Sequence, residues 1–183
     1  LGYLSYNNDT KCACIPNYEV RQEFETAIDD TSWLEVTSAL RQSEHLMECL
    51  LSGDADEVAD CVAEVHEKNT SILKYNDENS LACVLSLAFY TSRNHYEMIR
   101  ELPAGRGFAD IVLLPYRDVE VPAIVLELKW NKNADAAISQ IKRQKYVESL
   151  AHYVGNIILV GINYDKHSKS HSCRIERMTK VTP

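Results

Sequence analysis

Residues 156–164, Asn-Ile-Ile-Leu-Val-Gly-Ile-Asn-Tyr, are apolar at almost every position. A membrane helix needs ~20 such residues in a row, and this run has fewer than half as many. Read as a strand, it places alternate side chains on opposite faces, so hydrocarbon must cover both. Such a strand belongs in the middle of a sheet with helices above and below, and the expected class is therefore α/β. With 183 residues, 45% of them hydrophobic, and only 6 Gly and 5 Pro, the chain can supply that core once, in one domain or one plus a small appendage.

The flanking segments supply the layers. After Pro16 and Asn17, Val20, Phe24, Ala27 and Ile28 recur at helical spacing. Trp33, Val36, Leu40, Met47, Leu50 and Leu51 predict a second helix, ended by Ser52-Gly53. Asp54 followed by Glu57 reads as a capping box opening a third, with the stripe Val58, Cys61, Val62, Val65 and Ile72. A fourth, 79–90, is apolar nearly all round and is expected to be wholly buried. Three short runs rich in β-formers follow, 96–102, 108–114 and 123–130, predicting a meander. A helix over 133–151 carries Ala134, Ala137, Ile138 and Ile141 on one face, and a last strand is expected at 172–178 beyond the run 156–164. The order from Glu78 is αβββαβ plus one strand, with residues 1–76 as an N-terminal segment and helical subdomain and 77–183 as the core.

Net charge is −8, but it is unevenly distributed: residues 1–90 carry 5 Lys/Arg against 17 Asp/Glu, and 91–183 carry 14 against 10. A basic C-terminal half is one footprint of a module that approaches phosphates, and an acidic solvated helical face accounts for the rest. Cys49, Cys61 and Cys83 lie among apolar residues at helical spacing and read as small hydrophobes, which favours a reduced, cytoplasmic chain. A zinc site would have to join Cys12 and Cys14 to His167, His171 and Cys173, without the usual knuckle spacing, and is not expected. No secretory leader is visible, and the start at Leu1 without Met suggests an excised fragment.

Two charges interrupt the strand 123–130. Glu127 and Lys129 are two apart and must share a face; Asp110 does the same in the preceding strand, its antiparallel neighbour. Buried charges are costly unless paired or bound to a metal. Two explanations stand side by side: a self-satisfied Asp110–Lys129 or Glu127–Lys129 ion pair, or a divalent cation held by one or two carboxylates.

The segments Gly105-Arg106-Gly107-Phe108-Ala109-Asp110-Ile111-Val112, Val125-Leu126-Glu127-Leu128-Lys129 and Gln140-Ile141, in this order of strands and helix, resemble the PD-(D/E)XK nuclease superfamily. Leu1-Gly2-Tyr3-Leu4, Ile15-Pro16-Asn17-Tyr18-Glu19-Val20 and Leu159-Val160-Gly161-Ile162-Asn163-Tyr164 are similar to a bacterial branch whose nuclease-like module lies C-terminal to an AAA-type ATPase-like domain. The resemblance implies a restriction-endonuclease-like core with a mixed central sheet. It further implies that Asp110 and Glu127 ligate Mg²⁺ or Mn²⁺ with the Leu128 carbonyl, that Lys129 orients or activates water, that Glu78 completes the acidic set, and that Gln140 contacts the site or a phosphate.

Ala109 stands where the family name has Pro. Gln140 and Tyr146 are six apart rather than four, which leaves Tyr146 outside the expected site. Lys142, Arg143 and Lys145 form a basic run that either touches phosphate or is simply solvated, and His167 and His171 are expected to be exposed in a polar turn. No phosphate-binding loop is present, so ATP chemistry is not expected of this chain. The implied function is a metal-dependent nuclease domain acting on nucleic acid, DNA before RNA, under an AAA-ATPase-like partner domain and with no membrane role. The alternative is a catalytically inactive module of the same fold that binds nucleic acid or mediates assembly.

Overall fold

A computed structural model describes residues 4–7, 12–29, 31–69, 78–104, 107–117, 119–144, 146, 150 and 155–179. They fall into two compact units, Leu1–Arg41 and Gln42–Pro183. The first holds a short antiparallel hairpin, β1 (Ser5–Asn7) and β2 (Cys12–Cys14), then α1 (Tyr18–Asp29) and the start of α2 (Thr31–Ser52). Asn17 Oδ1 accepts the Val20 N–H at 2.9 Å, capping α1 where the sequence places its start. Val36, part of the predicted stripe, is half exposed.

The second unit is a layered α/β structure. Its five-stranded mixed sheet has the order β3 (Tyr96–Ala104), β4 (Gly107–Pro115), β5 (Ala123–Trp130), β6 (Asn156–Asp165), β7 (Ser170–Thr179). All neighbours are antiparallel except β5 and β6, which run parallel in the register Ala123↔Ile157 to Trp130↔Tyr164. A parallel pair needs a crossover, and α5 (Ala134–Gln144) provides it. The apolar run 156–164 is β6, between two neighbours and buried from Ile157 to Tyr164.

The two faces of the sheet carry separate cores. On one, Ile111, Leu113, Ile124, Leu126, Leu128, Ile158, Val160 and Ile162 meet the end of α2, α3 (Ala55–Asn69) and α4 (Glu78–Ala88). On the other, Val112, Val125, Ile157 and Leu159 meet Ile138 and Ile141 of α5. Helix α5 lies unusually close because of Gly161: a Cβ there would sit 2.4 Å from the Ala134 carbonyl oxygen and 2.9 Å from Ala137 Cβ. The predicted helix over 133–151 stops at Gln144; Tyr146 and Leu150 are buried in 3-10 geometry.

Between α2 and α3 the chain reverses at Gly53, whose φ of +93° only glycine adopts without strain. The Gly53 and Asp54 N–H groups both return to the Cys49 carbonyl, at 3.0 and 2.9 Å. Half of the predicted capping box forms: Asp54 Oδ1 accepts the Glu57 N–H at 3.1 Å, whereas the Glu57 carboxylate turns to His45. Ile72 lies outside the described residues. Helix α4 corrects an expectation, because it is not buried all round. Leu81, Val84, Leu85 and Ala88 are buried, but Leu87 is 54% exposed, on the side of the helix away from the core it shares with α3 and the sheet. No helix among the described residues is long and apolar enough to cross a membrane.

Candidate active site

The site begins where strand pairing fails. The β4–β5 ladder runs Leu113↔Ile124, Val112↔Val125, Ile111↔Leu126 and stops; one further step would set Asp110 opposite Glu127. Instead Asp110 Oδ2 accepts the Leu128 N–H at 2.7 Å, and Lys129 Nζ donates to the Leu128 carbonyl at 2.7 Å. Side chains therefore serve both main-chain groups of Leu128. On the other edge of β4 the pairing with β3 also breaks opposite Asp110, at Glu101, whose φ is +51°. A left-handed non-glycine residue costs about 1 kcal/mol or more, so the backbone is held off its regular path on both sides of Asp110.

Period 2 places Glu127 and Lys129 on the α5 side of β5, and both are sealed there, 1% and 5% exposed. Lys129 Nζ donates to Glu127 Oε1 at 2.9 Å. The Gln140 amide, reaching down from α5, donates to the same oxygen and also lies 3.3 Å from Tyr146 Oη. One oxygen of Glu127 thus receives two donors, while Oε2 is buried with no hydrogen-bond partner among the described residues. Leaving such an atom unpaired costs roughly 1–3 kcal/mol, more for a charged group, and calls for an explanation.

The electrostatics agree. Burial first, then the nearby Asp110 charge, push the Glu127 carboxyl up from 4.5 to about 7, against the pull of Lys129. Burial likewise raises Asp110, opposed by the Leu128 N–H and Lys129 and assisted by Glu78 and Glu101. Two acids and one ammonium in a dry pocket leave an unbalanced negative charge that either a proton or a cation relieves.

Asp110, Glu127, Leu128, Lys129 and Gln140, all anticipated, are joined in one hydrogen-bonded cluster. Glu78, at the start of α4, is near enough to raise both acids, but its own partner is Lys132, at 3.9 Å, on an exposed surface. Tyr146, excluded by its spacing, belongs to the cluster: beyond the end of α5 at Gln144 its ring lies on Gly107, where a Cβ would meet Tyr146 Oη at 3.3 Å. Glu101 was missed altogether, and no spacing signal marks it. Of the basic run, Lys142 pairs with Glu176 at 2.5 Å, Arg143 is exposed, and Lys145 lies outside the described residues, as do Gly105 and Arg106.

His167 is exposed as expected, but His171 is not: it lies in β7 with both ring nitrogens buried and without a hydrogen-bond partner among the described residues, edge to face with His66 at 5.0 Å. A cavity of about 880 Å³, lined by Leu102, Leu114, Tyr116 and Asn156 among others, contains none of the charged cluster.

The donor set fits a hard divalent cation. Asp110, the free Glu127 Oε2 and the Leu128 carbonyl are all oxygens, which Mg²⁺ and its relatives prefer over nitrogen and sulfur. A single divalent ion would balance both carboxylates and leave the Lys129 ammonium as net positive charge toward an anionic substrate. No curated protein sequence matches the chain. Residues 76–173, more than half of it, do match the PD-(D/E)XK nuclease superfamily, whose members are usually nucleases and typically use divalent metals. The matched segment contains every member of the cluster just described, in a five-stranded mixed sheet flanked by helices. The chain belongs to the PD-(D/E)XK nuclease superfamily.

Proposed function

We propose that this chain is a metal-dependent nuclease domain that hydrolyses phosphodiester bonds in nucleic acid, DNA before RNA. The observation that carries the reading is the asymmetry of Glu127, with one oxygen accepting two hydrogen bonds and the other buried with no partner among the described residues, in a carboxyl that feels the Asp110 charge. Asp110, Glu127 and the Leu128 carbonyl would hold Mg²⁺ or Mn²⁺. When bound, the cation supplies Lewis acidity, neutralising phosphodiester charge and making water more acidic. Gln140 and Lys129 fix the Glu127 carboxylate so that its bare oxygen keeps one direction. Lys129 uses two of its three N–H donors on Glu127 and Leu128, leaving one for a phosphate oxygen or an attacking water. Tyr146 holds the Gln140 amide in place, and Glu78 adds negative charge at the rim.

Control by an N-terminal AAA-ATPase-like domain and a cytoplasmic location complete the proposal, on the strength of sequence resemblance and cysteine usage. The test is hydrolysis of plasmid DNA and of structured RNA by the purified chain with Mg²⁺ or Mn²⁺. Expected is cleavage that disappears with chelator and in Glu127→Gln and Lys129→Met, with circular dichroism unchanged. Salt-sensitive binding without cleavage supports the inactive-module reading instead. Cleavage that survives Glu127→Gln refutes the assignment of the site.

A further inference from the structure

A second group of ligating side chains lies outside the family match, between α2 and α3. His45 and Cys49 are one helical turn apart on α2; Glu57 and Cys61 are one turn apart on α3. The hairpin at Gly53 brings the two pairs face to face. One ligand atom each from His45, Glu57 and Cys61 lie within 4.8 Å of one another. His45 Nε2 is 3.1 Å from Glu57 Oε1, and Cys49 Sγ is 3.7 and 3.8 Å from the two ring nitrogens of His45. The Cys61 thiol is pushed up to about 11, by burial first and next by the Cys49 charge.

In a tetrahedral zinc site, bonds of about 2.0–2.3 Å put neighbouring ligand atoms roughly 3.3–3.8 Å apart. The separations from His45 to Glu57 and Cys49 are 3.1 to 3.8 Å, and His45, Glu57 and Cys61 lie within 4.8 Å, so rotation of these side chains would draw the set onto one ion. We infer that His45, Cys49, Glu57 and Cys61 form a structural zinc site that clamps the α2–α3 hairpin. Two thiolates and an imidazole select Zn²⁺ over the hard cation suited to Asp110 and Glu127. Access and retention are both provided for: His45 and Glu57 are about half exposed at the mouth, 53% and 46%, while Cys49 and Cys61 lie beneath, 8% and 5% exposed. Four protein ligands leave no open position, which fits a structural rather than a catalytic ion. All four residues precede residue 76, so this site does not rest on the nuclease assignment.

The experiment is titration of the reduced, metal-free chain with Co²⁺, followed by displacement with Zn²⁺. Expected are one equivalent bound, a thiolate-to-cobalt charge-transfer band, intense tetrahedral ligand-field bands, and their loss on adding one equivalent of Zn²⁺. His45→Ala and Glu57→Ala, at exposed positions that do not endanger folding, should each weaken Zn²⁺ binding by about 100-fold or more, beyond the 10–100-fold typical of an outer partner. Glu127→Gln should leave the charge-transfer band unchanged, separating this ion from the one at the nuclease site. A folded chain with no thiolate band overturns the inference, as does a band that persists in the Cys49→Ala, Cys61→Ala double variant. A Cys49–Cys61 disulfide under the same reducing conditions overturns it too.

Discussion

Replacing Glu127 by Gln should make the metal-free protein more stable at alkaline pH while abolishing activity. In the folded chain the carboxyl is pushed from 4.5 to about 7. A raised acid is one the fold prefers neutral, so its contribution is fully present below pH 4.5, declines as the unfolded chain alone gives up the proton, and is gone above pH 7. At about 1.4 kcal/mol for each tenfold change in proton affinity, the loss comes to about 3 kcal/mol. Gln keeps the shape and an oxygen acceptor for Lys129 but has no proton to lose. The assay is urea unfolding in chelator at half-unit steps from pH 4.5 to 8.5, wild type against Glu127→Gln. The difference should grow to about 3 kcal/mol in favour of the variant by pH 8, and millimolar Mg²⁺ or Mn²⁺ should close it by stabilising only the wild type. Parallel pH profiles would refute the claim that this carboxylate is held in a dry, electronegative pocket.

Three further outcomes follow from the same coordinates. Lys129→Met strips Glu127 of its ammonium partner and should cost about 3 kcal/mol at pH 8 but much less at pH 5.5, where Glu127 is already neutral; urea midpoints at the two pH values decide it. Gly161→Ala sets a methyl 2.4 Å from a main-chain oxygen and should cost about 2 kcal/mol, a fall of roughly 6 °C in Tm by calorimetry. His171, lowered to about 4 by burial and by His66, is a base the fold keeps neutral. Its contribution is present above pH 6.5 and is lost as pH falls toward 4, by up to about 3 kcal/mol, and His171→Phe should remove that acid-side slope in the same unfolding series.

Much of the architecture was legible because it rests on periodicity. Alternation in β5 put Glu127 and Lys129 on one face, the unbroken run put β6 at the centre, and the loop after Pro115 allowed β4 and β5 to pair antiparallel. What escaped depends on where periodicity ends. Tyr146 reaches Gln140 only because α5 stops two residues earlier, and a helix terminus without Gly or Pro leaves no mark in the sequence. Glu101 is placed by a break in pairing, not by its residue type. His171 looked like part of a polar turn, yet β7 begins at Ser170 and carries the ring against His66 and Tyr164. Cys49 and Cys61 read as core in the sequence because their own helices are apolar around them; that the His45–Cys49 turn of α2 meets the Glu57–Cys61 turn of α3 becomes visible only when the two helices are folded together.

The contact between Gly161 and the Ala134 carbonyl has a consequence for how such a site can vary. A helix seated on bare main chain has its height above the sheet fixed by the peptide backbone and not by the size of interdigitating side chains. Substitutions elsewhere along α5 can then alter hydrophobicity or surface charge without lifting Gln140 away from the carboxylate below it. The span between helix and strand becomes a constant of the scaffold, so the amide arm stays the right length while its surroundings drift.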